Sequence, residues 1–256
     1  MFDQQSYRYR MEWGIRGARD AAARGDIVVI VDVLCFSTTT IVAVHAGMQV
    51  IPASPQTDVA TLAKTWQAEV AHPRQTAGEG YSLSPTSFLR GTNGNNRLIL
   101  PSPNGARCST ACRTATAVFI GALINAQPVS RHIQQLSHEL DKPVTIIACG
   151  EQWNDPISGD NCLRPAIEDY LGAGAILAYI DEELSPEADV CRSAFRGSLK
   201  RLDDLIWDCG SGRELRERGF ADDVHLARKL NLYSTVPGWV GGVFQNVGAD
   251  VDPKAF

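Results

Sequence analysis

No stretch of this 256-residue sequence stays apolar for the roughly 18 positions that a membrane-crossing helix requires. The longest run, Ile27 to Leu34, is broken by Asp32. The start, Met1 to Arg10, is polar and lacks the apolar centre of a secretory signal, so the expected location is the cytoplasm. Basic residues are not in excess: 24 Lys and Arg stand against 29 Asp and Glu, a formal net charge of −5. Without a basic patch to release counterions, no nucleic-acid partner is expected. Disulfide staples are not needed at this length, and seven cysteines is an odd number, which predicts reduced, buried thiols. Cys108 and Cys112 are four apart, but no second pair or spaced histidine pair completes a zinc site. The five histidines never fall at the i, i+4 spacing of a helical zinc pair, and both the Walker loop and the dinucleotide glycine fingerprint are missing.

What remains is ordinary globular composition, 44% hydrophobic with 22 Gly and 13 Pro, enough for one large or two small domains. Ile27 to Leu34 is a β-branched run that suits a strand covered on both faces. Shorter runs recur at Met48 to Ala53, Arg97 to Leu100, Ala117 to Ile120 and Pro143 to Cys149. Helical spacing separates them, at Thr39 to Ala46, Thr57 to Val70, Gly105 to Ala115 and Asn125 to Leu140. This alternation predicts an α/β fold, layered α/β/α, with a largely parallel central sheet. Beyond Gly150 the texture becomes more helical, with a helix expected over Ala166 to Ile180 and a short strand around Leu232 to Val236. The expected organisation is a sheet core over 1–150 and a helical lobe over 151–256 packed on the same core.

Ligands of open parallel sheets collect beyond the carboxyl ends of the strands, so the polar residues placed there are the candidates. Asp32 ends the first run and could hold a cation. Ser37, Thr38 and Thr39 then open a helix, where hydroxyls and free N–H groups favour an anion. The alternative for this stretch is an ordinary helix cap. Glu79 is a glycine-flanked carboxylate, and Ser84 follows it closely. Asn104 and Gly105 lie between a strand and a helix, Asn125 follows the next strand, and Gly150-Glu151 follows the last. Glu168 and Asp169 open a later helix, either for its dipole or as a second acidic contribution to a metal site. Two phosphatase classes are excluded by position: a dehalogenase-type enzyme needs a second aspartate where Leu34 stands, and none of the seven cysteines has an arginine six positions on.

In order and spacing, Asp32-Val33-Leu34 with Thr38-Thr39-Thr40, Ala77-Gly78-Glu79, Ser84-Pro85, Asn104-Gly105, Asn125-Ala126 and Glu168-Asp169 with Ala173-Gly174 resemble the motifs of the 2-phosphosulfolactate phosphatase family. Trp13-Gly14 and the Val236-Pro237 region fit the same layout. The sequence departs from the family at Cys35-Phe36-Ser37, where the family usually carries an arginine able to grip phosphate or sulfonate. The resemblance implies a Mg²⁺-dependent hydrolase of a phosphate monoester on a small acidic metabolite, in coenzyme M biosynthesis for the founding members. It implies Asp32, Glu79 and Asp169 as catalytic groups and Asp32, Glu79, Glu168 and Asp169 around Mg²⁺. Ser37, Thr38, Thr39, Ser84, Asn104, Gly105 and Asn125 are then expected around the substrate. A non-catalytic anion-binding or regulatory relative is the alternative, and a homodimer is compatible with the size.

Overall fold

The computed structural model describes residues 4–76, 78, 80–91, 94, 96–153 and 162–248. The chain opens with β1 (Tyr9–Trp13), α1 (Gly14–Ala23), β2 (Ile27–Val31), α2 (Phe36–His45), β3 (Gln49–Ala53), α3 (Val59–Trp66) and β4 (Glu69–Val70). There follow β5 (Arg97–Pro101), α4 (Gly105–Ala111), β6 (Ala117–Gly121), α5 (Ala126–Leu140), β7 (Val144–Ala148), β8 (Glu151–Gln152) and β9 (Leu163–Arg164). The remainder is α6 (Ile167–Leu177), α7 (Pro186–Ser198), α8 (Leu202–Asp208), α9 (Gly210–Glu217), α10 (Ala221–Ala227) and the strands β10 (Pro237–Val240) and β11 (Val243–Asn246). No helix among the described residues is long and apolar enough to cross a membrane.

Nine strands form one sheet in the order β1-β7-β2-β6-β10-β11-β3-β5-β4. Five of its eight neighbouring pairs are parallel, as the alternating sequence pattern predicts. Every residue of β2 and β7 is buried, which requires cover on both faces of the sheet. One face is covered by α1 with α4, the other by α6 with α5 and α7. One hydrophobic cluster extends from Tyr9 to Phe244.

The structure departs from the sequence expectation in several places, among them the helix expected to reach Ile180, which ends at Leu177. Tyr9–Trp13 is an edge strand that the polar alternation of its residues concealed; Arg10 is buried because it meets Asp26. The helix expected to run to Val70 stops at Trp66, where Gln67 turns left-handed at φ 51° and the chain re-enters the sheet as β4. The helix expected to reach Ala115 ends at Ala111. Leu232 to Val236 is irregular. The strands lie just after it, as the hairpin β10–β11, whose two-residue turn is Gly241-Gly242 at φ 59° and 98°. A turn with two successive positive φ angles matches strand twist and favours glycine, so the glycines mark a hairpin.

That hairpin sits in the middle of the sheet. It pairs antiparallel with β6 on one side and β3 on the other, so β3, β5 and β4 run against the strands around β2. The loop leaving β5 nevertheless reaches the loop leaving β2 across the twisted sheet, where the Gly105 N–H donates to Asp32 at 2.8 Å.

Close packing of α6 on α7 depends on a small residue. A Cβ at Gly174 would lie 2.5 Å from the Cys191 carbonyl oxygen, whereas one at Gly197 meets nothing within 4 Å. Gly174→Val is expected to destabilise by about 1–3 kcal/mol through overpacking. Gly197→Ala should be neutral or slightly stabilising. Urea unfolding of both variants checks this; equal midpoints would contradict it.

Candidate active site

Asp32 immediately follows β2, and its side chain joins two helices. Oδ1 accepts the Phe36 N–H at 3.1 Å and Oδ2 accepts the Gly105 N–H at 2.8 Å. These are the first residues of α2 and α4, so the carboxylate itself occupies the positive ends of both helices. The hydroxyls that follow turn inward. Ser37 Oγ accepts the Asp32 N–H and donates to the Ile30 carbonyl, Thr38 Oγ1 donates to Val33 and Thr39 Oγ1 donates to Leu83. All three residues are fully buried and hold the shape of this loop.

A second carboxylate does the same from α6. Asp169 accepts the Val33 N–H through Oδ1 and the Gly150 N–H through Oδ2, both at 2.8 Å. It thus ties the ends of β2 and β7 to the first turn of α6. Glu168 beside it is buried. Glu151, just beyond β7, accepts from Asn104 Nδ2 at 2.8 Å. Asp32, Glu151, Glu168 and Asp169 therefore share one desolvated region. Burial, opposed by its two N–H bonds and aggravated by Glu168, raises Asp32 to about 6. Burial and the charge of Asp32 raise Glu151 to about 7, and the same two effects lift Asp169 well above the ordinary carboxylate range.

Ser84 belongs to a neighbouring network. Its hydroxyl donates to Asp223 of α10, which also accepts from Thr86 Oγ1 at 3.1 Å and Arg74 Nε at 3.2 Å. Burial raises Asp223 despite these donors. Arg74 also donates to the Leu83 carbonyl at 2.9 Å, and its positive charge favours the ionised forms of the buried Cys35 thiol and of Asp32. It brings a guanidinium to the place in the β2–α2 loop where the sequence carries Cys35. Asn125 is fully buried, accepts from the Ala122 N–H and donates to the Ile120 and Thr235 carbonyls. It fastens β6 to the segment before β10 and hydrogen-bonds to none of the four carboxylates. Glu79 and Ala77 lie outside the described residues. All seven cysteines are thiols rather than disulfides, and burial raises several of them, Cys191 and Cys209 to about 12.

Sequence reasoning places Asp32, Gly105, Glu168 and Asp169 near one another and counts Glu151 among the strand-end polar residues without giving it a role, but it misses Arg74 and Asp223. Glu151 carried the same signal as the others, a polar residue just past a strand. Arg74 and Asp223 had no local signal, since only the fold brings α10 against the segment at Ser84.

Among the described residues, no three His, Cys, Asp or Glu side chains are grouped closely enough to hold a metal ion together. The donor chemistry nevertheless fits Mg²⁺, a hard cation that keeps several waters and is held by one or two carboxylates. The oxygens of Asp32 and Asp169 that accept one N–H each retain a further lone pair. A concentration of buried negative charge is also the setting that a divalent cation relieves.

The raised carboxylates fix a pH dependence. Because Asp32 is raised from 3.8 to about 6 and Glu151 from 4.5 to about 7, the folded protein binds more protons than the unfolded chain in this window. Their contribution to stability is fully present below the ordinary carboxylate values and is lost as pH rises through 6 to 7. In metal-free buffer the melting temperature at pH 5.5 should exceed that at pH 7.5 by about 3 °C. Excess Mg²⁺ should narrow the gap. A lower melting temperature at pH 5.5 would contradict the assignment.

The profile of the 2-phosphosulpholactate phosphatase family matches residues 16–242. A protein of Carboxydothermus hydrogenoformans named probable 2-phosphosulfolactate phosphatase is 28% identical over 232 residues, 87% of this chain and 88% of its own. The 2-phosphosulfolactate phosphatase of Methanothermobacter thermautotrophicus is 26% identical over 216 residues, 84% of this chain and 88% of its own. A probable 2-phosphosulfolactate phosphatase of Pseudothermotoga lettingae is 24% identical over 218 residues, 84% of this chain and 89% of its own. With nearly its whole length matched, and with the strand-end carboxylates that carried the resemblance gathered in one region, the chain belongs to the 2-phosphosulfolactate phosphatase family.

Proposed function

We propose that the protein hydrolyses 2-phosphosulfolactate, releasing inorganic phosphate and sulfolactate, with Mg²⁺ as cofactor. The observation that supports this best is the convergence of Asp32, Glu151, Glu168 and Asp169 beyond the ends of β2 and β7 in a chain of this family. On this reading Asp32 and Glu79 hold the cation, with Glu168 or Asp169 contributing one more oxygen. When bound, Mg²⁺ supplies neutralisation of phosphoryl charge. The same reading puts the protein in the cytoplasm, in coenzyme M biosynthesis, as a homodimer.

The chain's own residues then have separable tasks. Hydrolysis adds water to phosphorus and breaks the ester P–O bond, whose electron pair stays on the alcohol oxygen and takes up a proton. Glu151, raised to about 7, is suited to carry a proton at its Oε atoms near neutral pH. Asn104, bonded to Glu151, aligns that carboxyl and offers its amide to the substrate. Ser84 is oriented by Asp223. Ser37, Thr38 and Thr39 act by fixing the loop that carries Asp32, because their hydroxyls already donate within the protein.

The test is phosphate release from 2-phosphosulfolactate by purified protein with Mg²⁺ and with EDTA. Turnover that EDTA abolishes is expected, and Asp32→Asn should lower kcat by about a hundredfold or more. Binding of the ester without phosphate release would favour a non-catalytic relative, and an EDTA-resistant rate would remove the metal from the account.

A further inference from the structure

A cavity of about 310 Å³ opens beside the carboxylate region, and its walls come from three strand ends. Trp13 and Arg16 lie at the β1–α1 junction, Asn104 and Arg107 at the start of α4, and Cys149 and Glu151 past β7. The cavity adjoins the site directly. Asn104 precedes Gly105, which donates to Asp32, and Cys149 and Glu151 flank Gly150, which donates to Asp169. The volume is at the small end of ligand pockets and suits a metabolite of a few carbons.

Its charge is of the opposite sign to the region it adjoins. Arg107 is partly buried and, among the described residues, its guanidinium has no hydrogen bond or ion pair. Among the described residues the Arg16 guanidinium is bound to Asp20 alone, one turn along α1 at 2.8 Å, with the two side chains 84% and 49% exposed. Such an exposed pair holds its side chains only weakly. Its guanidinium is therefore readily redirected to a better anion. Glu151 is the one carboxylate lining the cavity among the described residues, and Asn104 is bonded to it. A guanidinium offers a planar fork of N–H donors that meets a carboxylate or sulfonate in two parallel bonds. The opposing wall is apolar and rigid. Trp13 stacks on Tyr170 at 5.7 Å, and Gly14, at φ 59°, leaves only 3.1 Å between a notional Cβ and Leu163.

We propose that this cavity receives the carboxylate and sulfonate arms that flank the phosphate-bearing carbon of the substrate, and that Arg107 and Arg16 grip these two anionic groups. This rests on the function proposed above, since 2-phosphosulfolactate carries a carboxylate and a sulfonate besides its phosphate. The arginines then set specificity for a small diacid, while the carboxylate region handles the phosphate ester.

Two measurements test it. In steady-state assays with 2-phosphosulfolactate, Arg107→Gln should raise KM by about tenfold or more, the worth of one charge-assisted contact. The loss should fall on KM rather than kcat, inhibition by inorganic phosphate should keep its strength, and Arg107→Lys should recover part of the loss. Arg16→Gln should act in the same direction. An unchanged KM, or an equal weakening of phosphate inhibition, overturns the assignment. Independently of turnover, calorimetry with sulfolactate should show binding to the unmodified protein, weakened about tenfold or more by Arg107→Gln. Absent binding, or equal binding to both, overturns it. Arginine-dependent sulfolactate binding without ester hydrolysis would sink the proposed function and leave the diacid pocket standing.

Discussion

The two ends of β2 show how this molecule treats buried negative charge. At its start, Asp26 is fully buried and fully answered, by Arg10 at 3.2 Å, Arg24 at 2.9 Å and the Thr145 hydroxyl at 2.7 Å. At its end, Asp32 receives two backbone N–H bonds and the attraction of Arg74, while Glu168 repels it. A buried charge is costly unless it is paired, and the first end obeys that rule. The second end departs from it: among the described residues its four carboxylates have no salt bridge, only neutral donors to Asp32, Asp169 and Glu151, and they gather where strands of a parallel sheet present their loops.

Holding four acids together requires a scaffold that does not yield. The backbone supplies it: Asp32 clamps α2 to α4, and Asp169 clamps the ends of β2 and β7 to α6. These bonds favour the ionised forms, yet burial and mutual repulsion outweigh them. Glycine is needed at one of these junctions, since Gly150 has φ 66° and a Cβ there would press on the Arg164 carbonyl at 2.9 Å. The hydroxyls of α2 complete the loop from within. Preorganisation of this kind is what catalysis of phosphate transfer depends on, because the reaction is dominated by placement and charge.

The sequence made part of this legible. The β-branched run of β2 and the alternation of strands with helices announced a mostly parallel sheet, and Asp32 at a strand end was visible as a candidate. Periodicity could not show where β10 and β11 insert. Their place between β6 and β3 is a long-range pairing with no local signature. For the same reason Asp223 and Arg74 were invisible, since α10 meets Ser84 only through the fold. The hydroxyls of Ser37, Thr38 and Thr39 were readable as polar groups at a helix start, but only coordinates reveal that they face inward. Asn125 looked like its neighbours in the pattern and is bound into the β6 turn instead.

The central claim is that a cluster of partly protonated carboxylates is built to receive a divalent cation. Its most direct test is titration of Mg²⁺ into the protein at pH 6.5, by calorimetry in buffers of different ionisation enthalpy. Because ligands must lose their protons to bind, the account predicts saturable binding with net proton release, diminished in Asp32→Asn. Absent binding, or binding that releases no protons in any buffer, would contradict it.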